Sequence, residues 1–68
     1  MDMQAKTLLL RAYHRGSLAE VDDDNREAAA RLVGLRYAGN WRTLLGREAI
    51  RLSERGRLEA LRLERSGR

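Results

Sequence analysis

Thirteen of the fourteen basic residues in this 68-residue chain are arginines. A guanidinium is planar and makes paired hydrogen bonds to phosphates and to guanine edges, so a cluster of them is the chemistry of a nucleic-acid surface. The charge is unevenly spread. Residues 35–68 carry nine arginines against four glutamates, a balance of +5, whereas residues 1–34 carry five bases against six acids, a balance of −1. A GC-rich coding sequence, which favours arginine codons over lysine codons, is the bland source of the same bias. Other reactive groups are sparse. His14 is the single histidine and there is no cysteine, so a thiolate metal site is excluded. His14 reads as a structural residue near a helix end. Asp22-Asp23-Asp24 lacks the spaced ligands and terminal glutamate of a calcium loop and reads as a turn leading into a helix. Ser17 and Ser53 read as turn and cap residues rather than nucleophiles. The glycines match neither phosphate-cradling pattern, G-x-x-x-x-G-K-[ST] or G-x-G-x-x-G. The expectation is a binding protein and not an enzyme, with no catalytic residue, no cofactor and no metal.

A chain of this length makes one small domain, residues 1–68. It buries only about 60% of the surface its unfolded form exposes. Without disulfides, its remaining routes to stability are tight packing or self-association. The longest largely apolar run, Thr7–Leu10, is far below the ~20 residues of a membrane span. The start, Met-Asp-Met-Gln, has no basic region followed by an apolar stretch. No signal peptide and no membrane association are expected, and a cytoplasmic location follows by default.

The elements that must hold the arginines can be read in order. Ala5, Leu8, Leu9, Ala12 and Tyr13 form one apolar stripe, which predicts a helix over Met3–His14 ended by Gly16 in a left-handed conformation. Residues 17–21 are either one helical turn or a short strand, and Asp22–Asn25 supplies a turn and an N-cap. The stripe Ala28, Leu32 and Leu35, flanked by Ala29 and Val33, predicts a second helix over Asn25–Tyr37, with Gly34 either ending it early or marking a close approach. Trp41–Leu45, the turn Gly46-Arg47 and Glu48–Leu52 then read as a hairpin, the returning run alternating with period two. Ser53 sits where an N-cap belongs, Glu54 adds negative charge at the positive helix end, and a short amphipathic helix follows with Leu58 and Leu61 turned inward. Trp41 and Tyr37 read as packing residues rather than base-stacking platforms, and the charges of the last helix as a solvated face.

The class is therefore α+β and mostly helical: helix, short turn or strand, helix, β-hairpin, helix. Over residues 5–63 the chain resembles a minimal winged helix-turn-helix domain, as found in small bacterial transcription regulators. Three features carry the resemblance: the passage from Arg36-Tyr37-Ala38-Gly39 into a hairpin, the segment Leu52-Ser53-Glu54-Arg55-Gly56 that matches the leucine-Ser/Thr-acid-x-glycine pattern after a wing, and the closing helix. The resemblance implies a recognition helix over 25–37 and a wing over 41–52. It further implies binding to double-stranded DNA, with Arg31 and Arg26 toward base edges and Arg42, Arg47 and Arg51 toward phosphates. Asp22–Asp24 stand at the start of the proposed recognition helix, where carboxylates repel phosphate. The alternative is the same scaffold serving as a homodimerisation or protein-interaction module, with the acidic cluster and the basic last helix as complementary surfaces.

Overall fold

The α1 stripe folds as its spacing requires. In the computed structural model, which describes residues 1–67, α1 spans Met3–His14 and buries Ala5, Leu8, Leu9 and Ala12. Its start is capped by Asp2, whose Oδ1 accepts from the Ala5 amide at 2.8 Å. Its end is closed by Gly16 at φ +73° and a hydrogen bond from the Ser17 amide to the Ala12 carbonyl. The open question at 17–21 resolves as a strand: β1 spans Leu18–Glu20.

Helix α2 spans Arg26–Gly34, shorter than the expected 25–37. Gly34 is its last residue. Beyond it the Tyr37 amide donates to the Leu32 carbonyl and the Arg36 amide to the Val33 carbonyl, with Arg36 left-handed at φ +65°. Those two hydrogen bonds close the helix, so Leu35 leaves the stripe and is exposed. At the other end Asn25 makes no side-chain cap. Instead its Oδ1 accepts from the Asp22 amide and Asp22 Oδ1 accepts from the amides of Asp24 and Asn25, a closed acidic turn.

Strands β2 (Ala38–Arg42) and β3 (Glu48–Leu52) make the hairpin, and β1 pairs with the other edge of β3, giving an antiparallel sheet of order β1-β3-β2. The expected first strand, 41–45, is thus displaced: Ala38–Asn40, which precedes it, pairs with Ile50–Leu52, while Thr43–Leu45 leaves the ladder for the loop. Residues opposite each other share a face. Ala38, Asn40 and Arg42 therefore lie with Leu52, Ile50 and Glu48, joined from β1 by Ala19. The buried members of that set, with those of α1 and α2, form the core. The other face carries Leu18, Glu20, Gly39, Trp41, Ala49 and Arg51, and only Ala49 among these is buried.

Helix α3 spans Glu54–Ser66. It docks through Gly56 and Ala60, with Leu63 packed at the core margin, not through Leu58, which is 60% exposed, nor through Leu61, which is half-buried. The phase is set at its first turn. The Ser53 hydroxyl accepts from the Gly56 amide at 3.1 Å and donates to the Arg36 carbonyl at 2.8 Å, while the Ser53 amide donates to the Tyr37 carbonyl at 3.0 Å. These bonds draw α3 against the segment between α2 and β2 so closely that a Cβ on Gly56 would stand 1.9 Å from the Tyr37 carbonyl oxygen. The element order is α1-β1-α2-β2-β3-α3, an α+β domain. Among the described residues no helix is long and apolar enough to cross a membrane.

Candidate nucleic-acid interface

The five residues between β2 and β3 form a braced loop. The Thr43 amide donates to the Arg47 carbonyl and the Gly46 amide to the Thr43 carbonyl, each at 2.9 Å. The Thr43 hydroxyl accepts from the Arg47 amide at 3.1 Å, and Arg42 Nη1 donates to the Gly46 carbonyl at 2.9 Å. Gly46 supplies the left-handed residue, φ +80°, that the turn needs. The bonds fix the backbone of the tip but leave Leu44 fully exposed and Leu45 83% exposed.

The five candidate arginines do not form one continuous face. Arg26, at the start of α2, donates to Glu48 at 2.8 Å and lies 3.7 Å from Asp23. The Glu48 hydrogen bond is the main reason its guanidinium is held above its already high pKa. Arg31 Nη1 lies 3.1 Å from Asp2, at the start of α1 and away from the hairpin. The outward stripe of α2 is then Glu27, Ala30, Arg31 and Gly34, with a single cation already paired. That is meagre equipment for reading base edges.

The hairpin is different. Arg42, on the edge strand β2, and Arg51, on the central strand β3, project from opposite faces of the sheet, by their register with Glu48 and Gly39. Among the described residues neither has a carboxylate within ion-pair distance, the Arg51 guanidinium lying instead 4.9 Å from the centre of the Trp41 ring. Arg47 reaches Glu20 only at 3.5 Å, with both side chains more than half exposed. Solvent-exposed pairs of this sort are worth at most about 1 kcal/mol, so a phosphate could displace Glu20 at small cost. Arg42, Arg47 and Arg51 therefore lie on the hairpin itself, Arg26 is joined to it through Glu48, and only Arg31 is held away from it, by Asp2.

Trp41, read as a packing residue, stands across from Ala49 in the ladder but is 48% exposed on the open sheet face. The exposure of Leu44 and Leu45 was hidden in the sequence, because a strand read over 41–45 gives both a place in a ladder. Asp2, which caps α1 and holds Arg31, was also missed; an aspartate three residues before Ala5 was the available signal. Elsewhere, an open cleft of about 330 Å³ between α1 and α2 is lined by Met3, Gln4, Thr7, Leu8, Arg11, Asp22, Asp24, Asn25 and Ala28. Among the described residues no group of three or more His, Asp or Glu side chains is placed to hold a metal ion. The chain matches no family model, no curated protein and no solved structure.

Proposed function

We propose that the protein binds double-stranded DNA, with the β2–β3 hairpin as the contacting element and the domain serving as a small winged-helix-like regulator. The observation that carries this reading is the set of arginines Arg42, Arg47 and Arg51 on a hairpin whose loop is braced. Relative to the sequence-based expectation the contacts move: Arg26 and Arg31 serve the fold and its surface pairs, and phosphate contact falls to the wing. Binding that rests on phosphates is largely independent of base sequence and falls steeply with salt, each neutralised phosphate contributing about −0.9 to the slope of log K against log salt. Three such contacts give a slope of about −3. Fluorescence anisotropy of a labelled random duplex, titrated between low and moderate salt, measures it. The double substitution Arg42→Ala/Arg51→Ala is expected to bring the slope to about −1. No binding at micromolar protein in low salt would refute the proposal.

A second reading has its own support. The α2 stripe of Glu27, Ala30, Arg31 and Gly34 is exposed, includes two small residues, and borders the exposed Leu35 and Met1. Such a surface suits helix packing against a second copy or a protein partner. Sedimentation equilibrium over a hundredfold concentration range decides whether the chain self-associates; an Ala30→Lys variant that leaves a dimer intact would exclude this face.

A further inference from the structure

We infer that Leu44 and Leu45 form an apolar wedge that enters the minor groove of a bound duplex, partly unstacks a base step and bends the DNA. The inference rests on the DNA-binding reading and adds a mode to it. Its first support is position. The two leucines crown the loop, and no other described residue covers them. The second is rigidity. Four hydrogen bonds brace Thr43–Arg47, so the leucines are held out by a structured turn. The third is charge complementarity with a particular shape. Arg42, which reaches the Gly46 carbonyl, and Arg47, the last loop residue, flank the tip, with Arg51 further back on the central strand. An apolar point with cations on both sides matches a groove whose floor is stacked bases and whose two walls are phosphates. β1 stops beside Glu48, so beyond it only the two arms of the Thr43–Arg47 loop remain, about 4.8 Å apart, and this narrow end faces a minor groove about 6 Å wide, which apolar wedges open further. Architectural proteins that bend DNA insert leucine and other apolar side chains in this way.

The test uses the full chain and a short duplex with a central TA step, the most readily kinked kind, labelled at its ends with a donor and an acceptor dye. The wild-type protein is expected to raise energy transfer as the ends approach. The Leu44→Ser/Leu45→Ser variant is expected to bind about tenfold more weakly, with an unchanged salt slope and no rise in energy transfer. Both positions are solvent-exposed, so its thermal unfolding by circular dichroism should match the wild type. Wild-type binding without bending, or a double variant that bends DNA equally well, overturns the wedge while leaving the DNA reading in place. Absence of any duplex binding overturns the DNA reading itself and the wedge with it. In that event, leucine-dependent binding to vesicles of anionic lipid would assign the tip to a membrane surface instead.

Discussion

Replacing Gly56 by alanine puts two physical effects in direct opposition. Gly56 is in the first turn of α3, and alanine is better than glycine in a helix by about 1 kcal/mol. On propensity alone the variant gains stability. The added Cβ, however, would stand 1.9 Å from the Tyr37 carbonyl oxygen, 2.8 Å from its carbonyl carbon and 3.2 Å from its Cα. These are backbone atoms, so no rotamer change relieves the contact. Restoring a normal separation of about 3.5 Å moves α3 away by roughly 1.5 Å. That movement breaks the 3.0 Å hydrogen bond from Ser53 to Tyr37 and strains the 2.8 Å bond from Ser53 to Arg36. Overpacking of this severity costs about 3 kcal/mol or more, and a lost hydrogen bond about 1 kcal/mol. After subtracting the propensity gain, the expected loss is about 3 kcal/mol. The core is thin, with eight alanines among its thirteen buried apolar residues, so this is a large share of the total stability. In a domain of this size it lowers Tm by more than about 10 °C. The control is Gly34→Ala, at the end of α2, where an added Cβ meets nothing within 4 Å and the variant should be neutral or gain up to about 1 kcal/mol. Urea unfolding followed by the fluorescence of Trp41, the sole tryptophan, measures both. If Gly56→Ala proves as stable as Gly34→Ala, the clamp between α3 and Tyr37 is refuted.

Two further outcomes follow from the same geometry. Arg36 closes α2 in a left-handed conformation that strains a side-chain-bearing residue by about 1–2 kcal/mol, so Arg36→Gly should stabilise by about 0.5–1 kcal/mol after the entropy of glycine in the unfolded chain is subtracted; a loss in urea unfolding would contradict the strain. Glu59 accepts from Arg62 at 2.9 and 2.5 Å, and this hydrogen bond, opposed by partial burial, holds its carboxyl below the ordinary value of 4.5. The folded state thus binds fewer protons there than the unfolded chain. The contribution of the pair is full above the ordinary carboxylate range and is lost as pH falls through the depressed value. The stability difference between wild type and Glu59→Gln should accordingly shrink from pH 7 to pH 3, and parallel curves would rule the linkage out.

Much of the fold was legible because it is local. The 3.6-residue stripe of α1, the left-handed Gly16, the alternation of Ile50, Arg51 and Leu52, and the Ser53 cap each depend on residues within one or two turns of chain. The α2 end was legible as one of two options, since Gly34 marked a weak point without stating where the helix would close. What the sequence could not show depends on contacts between distant segments. Ala38-Gly39-Asn40 has poor strand propensity, and only the free edge of β3 makes it a strand; tertiary context overrides local preference there. The face of α3 is the clearest case. By pattern, Leu58 and Leu61 face inward, but the hydrogen bonds from Ser53 to Arg36 and Tyr37 set the helix at a phase where Gly56 and Ala60 make the closest approach.

The candidate site divides along the same line. Composition and charge order by themselves determined that the second half of the chain is basic. They could not determine which arginines remain available, because a guanidinium is neutralised by whatever carboxylate the fold brings to it. Folding placed Glu48 against Arg26 and Asp2 against Arg31, pairs separated by 22 and 29 positions in the chain, while among the described residues Arg42 and Arg51 met none. The physical reason is range. Hydrophobic period and capping act over a few residues, whereas charge pairing and helix phase are settled by segments that meet only in the folded domain.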